Sequence, residues 1–151
     1  MQATDADVVV REVRIQASPE TVFAFFTDPE KMKRWKGQDV ILEPSPGGRF
    51  RARLNDRAIA RGEFVEVDPP HRVVFTWGWE GEGHPVQPGS STVEVTLTPD
   101  GDGTLVRLVH SGLPSDEERK NHASGWDHYL SRLVAAAEGG DPGPDPNAAQ
   151  G

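Results

Sequence analysis

Strand-period alternation runs from Val40 to Ser111 with only turn signals between, and one helix-period segment follows it. That order is the strongest constraint the chain places on its own fold. Phe50, Ala52 and Leu54 alternate with Arg49, Arg51 and Arg53, and Val93, Val95 and Leu97 alternate with Thr92, Glu94, Thr96 and Thr98. Val106, Leu108 and His110 share a face opposite Leu105, Arg107 and Val109, while Val73, Phe75, Trp77 and Trp79 share a parity. Alternation of this kind belongs to antiparallel strands with one face on a core. Residues 59–67 also read as a strand, but Phe64, Val65 and Val67 do not share a parity, so a bulge is expected near Glu66. Gly47-Gly48, Asp68-Pro69-Pro70, the segment 81–89 and Asp100-Gly101-Asp102-Gly103 supply the turns.

The flanks complete the order. Val8 to Gln16 reads as a first strand around Val9, Val13 and Ile15. Ser18-Pro19-Glu20 is a helix start, with a capping serine, a proline suited to the first turn and an acid at the positive end of the dipole. Asp28-Pro29-Glu30 repeats it, and Met32 and Trp35 lie on one face of a second short helix ended by Gly37. Ser115 to Glu118 has the form of a capping box. The helix it opens runs to about Glu138 and meets a stop at Gly139-Gly140-Asp141-Pro142. The fold class is therefore α+β. One helix cannot cover six or seven strands laid flat, so the sheet must curl around it, and the space between them can stay partly open. The domain spans 8–139, with flexible tails expected at 1–7 and 140–151.

Composition narrows the function classes. A chain of 151 residues suits one domain large enough to bury a core. A net charge of −8 argues against nucleic acid or an anionic membrane surface as the partner. Cysteine is absent, which excludes disulfides, thiolate metal sites and a thiol nucleophile. No segment reads as a signal peptide or a membrane span, so a cytoplasmic protein is expected. Phosphate loops, dinucleotide fingerprints, nucleophile elbows and HExxH pairs are all missing.

Five segments carry a resemblance: IQASPETVFAFFTDPEKMKRW (15–35), PGGRFRARL (46–54), GEFVEVDPPHRVVFTW (62–77), TLVRLVHSGLP (104–114) and GWDHYLSRL (125–133). In this order they resemble the START-like (SRPBCC) superfamily of helix-grip folds, and within it the domain named after the activator of the heat-shock protein 90 ATPase. The likeness covers nearly all of the chain but the tails. It implies a curved antiparallel sheet gripping a long C-terminal helix, with a cavity between them that many relatives use for hydrophobic ligands. The superfamily also holds polyketide cyclases and co-chaperone domains. Its single-domain bacterial members lack the second domain of the eukaryotic co-chaperone, so a chaperone partner is not expected here.

The candidate site follows from the helix stripe. Trp126, Tyr129, Leu130, Leu133, Val134 and Ala137 recur at helical spacing, with His122 one turn earlier on the same face. Packing accounts for the aliphatic members, while Trp126 and Tyr129 carry polar tips that need partners when buried. From the strands, Phe50, Phe64, Phe75, Trp77 and His110 face inward. Trp35 stands where the resemblance implies the cavity mouth. The expected ligand-binding set is Trp35, Phe50, Phe64, Phe75, Trp77, His110, His122, Trp126, Tyr129, Leu130 and Leu133, with His110, His122 and Tyr129 as polar anchors. His122 and His128 sit about 240° apart around a helix and cannot chelate one metal, so no metal and no cofactor are expected. His71, His84 and His128 are expected in solvent. Arg49, Arg51 and Arg53 face outward, where cross-strand pairs with glutamates such as Glu63 or Glu94 are expected. Arg11 shares parity with Val9 and Val13. It either points inward to a carboxylate or ligand anion, or lies exposed at the strand end.

Gly125 leaves two readings open. Its missing side chain makes room beside Trp126 for a strand or a ligand, or the helix breaks there with Ser124 capping a second segment. The function expected is binding of a small hydrophobic molecule in an internal cavity. The alternatives are a cyclase or dehydratase with a cavity histidine as acid–base, and a protein-interaction module such as a co-chaperone or homodimer. The enzyme is the runner-up and protein interaction the third reading, and binding without catalysis is the more expected outcome.

Overall fold

The computed structural model describes residues 8–55, 58–81, 83–140 and 142. The expected tails at 1–7 and 140–151 fall almost wholly outside these residues. Ten elements follow in chain order: β1 (Val9–Ile15), α1 (Pro19–Thr27), α2 (Pro29–Met32), β2 (Asp39–Leu42), β3 (Arg49–Arg53), β4 (Ile59–Asp68), β5 (Arg72–Trp77), β6 (Ser91–Asp100), β7 (Gly103–Ser111) and α3 (Asp116–Ala137). The strands form one seven-stranded antiparallel sheet in the order β1-β7-β6-β5-β4-β3-β2. This is the curved open sheet with a long C-terminal helix of the helix-grip fold. No helix among the described residues is long and apolar enough to cross a membrane.

Local chemistry sets the helix boundaries. Ser18 Oγ accepts from the Thr21 N–H at 3.2 Å and caps α1. Asp28 serves both short helices: its N–H donates to Ala24 O at 2.9 Å and its Oδ1 accepts from the Glu30 N–H at 2.9 Å. The second helix is shorter than the Met32–Trp35 spacing predicts, since α2 stops at Met32. Residues 33–36 form a turn in which the N–H groups of Trp35 and Lys36 both donate to Met32 O, at 3.0 and 2.8 Å. That turn, closed by Gly37 at φ +95°, aims Trp35 and Lys36 into the interior. At the start of α3, Ser115 Oγ accepts from the Glu118 N–H at 3.2 Å, the serine half of the expected capping box.

The bulge lies where parity required one. Phe64 pairs with Phe75 and Glu66 with Val74, so Val65 is the extra residue, and it stands 53% exposed. Phe50 stacks on Phe75 with ring centroids 4.2 Å apart, and Phe64 meets both edge-on. These rings join Val22, Phe26, Met32, Leu108, Leu130 and Leu133 in one buried cluster filled from sheet and helices.

The outward arginines are paired with carboxylates, two of them glutamates, though these are not Glu63 or Glu94. Arg49 bonds Glu43 at 3.0 Å, Arg51 bonds Glu80 at 2.7 Å and Arg53 bonds Asp39 at 2.7 Å. Glu63 lies across from Arg49 in register, yet the side chain turns to the neighbouring hairpin segment, and Glu94 is taken by Arg72 at 2.6 Å. Arg11 meets a carboxylate at the surface, Asp127 of α3 at 2.6 Å, and both side chains stay partly in solvent.

Candidate functional site

A cavity of about 230 Å³ lies between α3 and the sheet, around Trp77 and Trp126. Four aromatic rings make most of its wall: Trp77 at the end of β5, Trp79 just beyond it, and Trp126 and Tyr129 from α3. Trp79 is held by an isolated bridge to Ala60 rather than by a full strand. Leu54 adds an apolar face. The polar lining is Lys36, Glu118, Asn121 and His122.

Gly125 completes the wall, and the helix through it is unbroken from Asp116 to Ala137. The broken-helix reading is therefore set aside. A Cβ built at Gly125 meets nothing within 4 Å, so no strand approaches there either. What the glycine leaves is open space.

The two histidines come together at right angles, with ring centroids 5.1 Å apart. His110 is fully buried, and both its nitrogens are engaged. Trp126 Nε1–H donates to Nδ1 at 3.0 Å. Nε2 lies 2.9 Å from Ser91 Oγ, whose proton goes to Trp77 O at 2.8 Å. A hydroxyl has one proton to give, so Nε2 is the donor to Ser91 and Nδ1 the acceptor. This network assigns His110 as the neutral Nε2–H tautomer. Burial first, then the nearby His122 and the Lys36 ammonium, push its pKa down to about 2.

His122 is the opposite tautomer. Its Nδ1 donates to Glu118 O at 2.8 Å and its Nε2 accepts from Trp79 Nε1–H at 3.3 Å. Burial also lowers its pKa, opposed by the Glu118 carbonyl and by the Glu118 carboxylate 3.7 Å away, with Lys36 adding to the lowering. A general base needs a lone pair free for substrate, and both acceptor nitrogens here are already occupied by indole N–H groups. The pair acts as a polar seam that fixes Trp79 and Trp126.

Lys36 has no counterpart in the expected set. It is only 3% exposed. Its Nζ sits 3.9 Å from the ring centre of Trp126, 4.0 Å from that of Trp77 and 5.2 Å from that of Tyr129. Ring faces attract a cation through their quadrupole, so three walls of the cavity converge on one ammonium. Trp77 carries a second polar feature: its indole N–H is buried and meets no acceptor among the described residues.

Of the expected residues, the cavity wall brings together Trp77, His122, Trp126 and Tyr129. His110 stands directly behind it, bonded to Trp126. Phe50, Phe64, Phe75, Leu130 and Leu133 lie in the packed core, off this wall. Trp35 is also core. Its Nε1–H donates to Phe25 O at 2.9 Å, its ring meets Phe26 edge-on at 5.4 Å, and Arg132 Nε bonds its carbonyl at 3.1 Å. His128 lies apart from His122 and meets the Tyr129 ring edge-on. Sequence reasoning missed Lys36, Leu54, Trp79, Glu118 and Asn121, and it left Gly125 out of the set. Glu118, His122, Gly125 and Tyr129 do recur at i, i+4, i+7 and i+11, a helix-face signal that could have found two more wall positions, Glu118 and Gly125. Lys36 had none, because its burial depends on the turn after α2 docking against α3.

Residues 16–138 match the family model described as activator of Hsp90 ATPase homolog 1-like protein. An activator of 90 kDa heat shock protein ATPase homolog from Dictyostelium discoideum is 30% identical over 112 residues. That alignment covers 74% of this chain but only 27% of the relative, so the chain spans about a quarter of that protein's length. The solution structure of an AHSA1-like protein from Rhizobium etli superposes with a TM-score of 0.73 at 50% identity, covering 92% of this chain and 86% of the other. DynU16, a putative protein in the dynemicin biosynthetic locus, superposes with a TM-score of 0.77 at 28% identity, covering 90% of this chain and 49% of the other. Fold and sequence agree, and the chain belongs to the family of activator of Hsp90 ATPase homolog 1-like proteins.

Proposed function

We propose that this protein binds a small, planar, largely apolar molecule in the cavity walled by Trp77, Trp79, Trp126 and Tyr129. The observation that carries the reading is Gly125. A glycine in mid-helix costs about 1 kcal/mol against alanine, and here it faces open cavity rather than a packed neighbour. Flat aromatic walls offer stacking area, and the few polar groups among them offer orientation. The likeness to DynU16 is consistent with a small-molecule role.

Two observations favour this reading over its rivals. Both buried histidines have their acceptor nitrogens occupied, which disfavours a cyclase or dehydratase that uses one as a base. The exposed large hydrophobics among the described residues are Ile41 and Val65, a poor start for a docking patch on a chaperone.

Native mass spectrometry of protein purified from its own host, beside a Gly125→Phe variant, tests the proposal. A small molecule should accompany the parent protein and be missing from the folded variant, whose phenyl ring fills the cavity. A molecule retained equally by both places the ligand elsewhere and overturns the reading.

A further inference from the structure

We infer that Glu118 selects the ligand by a hydroxyl group, so that the cavity takes a neutral two-ring aromatic carrying an O–H at the end nearest the start of α3. This rests on the cavity reading above and adds to it the chemical class. Glu118, His122, Gly125 and Tyr129 share one face of α3 and all four belong to the cavity wall. The Glu118 side chain is only 18% exposed. Its Oε1 stands 3.7 Å from His122 Nδ1, but that nitrogen gives its proton to the Glu118 backbone carbonyl at 2.8 Å. The carboxylate accepts no hydrogen bond from a described residue. Keeping a carboxylate mostly out of water without a donor is costly, and a ligand hydroxyl supplies the missing one.

A second residue points the same way. Asn121 borders the cavity three residues on from Glu118, and its side chain bonds no described residue. A carboxamide both donates and accepts, and so does a hydroxyl. One ligand O–H can therefore give its proton to Glu118 and receive one from Asn121. An ammonium only donates, and it also meets the like charge of Lys36, whose Nζ lies over the Trp77 and Trp126 rings. A ligand carboxylate only accepts and is repelled by Glu118. The size follows from the helix. Gly125 is seven residues beyond Glu118, about 10 Å along the axis, and the space beside it is open. Two fused rings with a hydroxyl span that distance, the apolar body beside Gly125 and the O–H at Glu118.

The test is an NMR titration, followed on the tryptophan indole N–H signals, with 2-naphthol and 2-methoxynaphthalene. The two probes share one ring system, and only the first can donate. The parent protein should prefer 2-naphthol by about tenfold, the scale of a hydrogen bond to a charged acceptor. Glu118→Met should remove that preference and leave the affinity for the ether nearly unchanged. Glu118→Gln, whose amide oxygen still accepts, should keep at most part of it. Dispersion of the indole signals reports whether each variant folds, and if Glu118→Met does not, the parent and Glu118→Gln titrations decide alone. Equal affinity of the parent for both probes overturns the inference. So does a preference left whole in either variant, or an equal loss of both probes in Glu118→Met. If Gly125→Phe abolishes binding of the ether in those cases, the cavity reading survives without Glu118 as its selector. If the parent binds neither probe, the inference falls and the cavity reading loses its aromatic ligand class with it.

Discussion

The indole N–H of Trp126 donates to Nδ1 of His110 across 3.0 Å, tying the middle of α3 to the end of β7 through two buried side chains. The bond continues through Ser91 to the carbonyl of Trp77, so helix, two neighbouring strands and the cavity wall share one proton arrangement. Trp126→Phe keeps most of the ring but leaves the His110 acceptor unsatisfied. It should lower unfolding free energy by about 1–3 kcal/mol, read by urea denaturation. A loss near zero would show that His110 finds another donor.

Acid should destabilise the protein before its carboxylates titrate. His110 and His122 both have folded pKa values below their unfolded ones. Below about pH 6.5 the unfolded chain takes up protons that the folded chain refuses, so stability present above that pH is lost as pH falls. For His110 the window extends down to about pH 2. Its share of the slope should be about 1.4 kcal/mol per pH unit between roughly pH 6 and 5. Denaturation midpoints of the parent and of His110→Gln across that interval check this. A variant with the parent's slope would show that His110 is not the group responsible.

Filling the space at Gly125 should stabilise the helix. Gly125→Ala puts a methyl group where nothing lies within 4 Å and relieves the helix of a glycine. Unfolding free energy should rise by about 0.5–1 kcal/mol, visible as a higher thermal midpoint. An unchanged or lower midpoint would mean that the helix is strained there for another reason.

Gly62 should tolerate nothing larger than itself. A Cβ there would stand 1.9 Å from the carbonyl oxygen of Thr76, and that backbone is fixed by the β4–β5 ladder and by the Glu63 N–H bond to Thr76 Oγ1 at 2.9 Å. Gly62→Ala should cost more than about 2 kcal/mol or prevent folding, seen in soluble yield and thermal midpoint. Parent-like stability would show that the strand shifts freely.

The sequence made the sheet legible because parity is a local signal: even the bulge at Val65 followed from three residues out of step. The helix face was legible for the same reason, through Trp126, Tyr129 and His122. The cavity itself was only half legible. Phe50, Phe64 and Phe75 read as inward, and they are, but inwardness does not distinguish a ring stacked on other rings from one facing empty space. Lys36 illustrates the opposite failure. A lysine after a short helix reads as solvated, and only the docking of the 33–36 turn against Trp77 and Trp126 reverses that. Ion-pair partners were hidden too, since Arg49 chooses Glu43 by side-chain reach and not by ladder register.

The pairing of β1 with β7 also sets an order of events. Ile15 meets Thr104 and Val9 meets His110, so the strand made first has no neighbour until the strand made last is available. Closing so long a loop is slow compared with forming the β6–β7 hairpin. During synthesis Val9, Val13 and Ile15 must wait, with their backbone unpaired, for nearly the whole domain to emerge. The Arg11, Glu12 and Arg14 side chains set among them give that waiting strand charge, which discourages pairing with another chain.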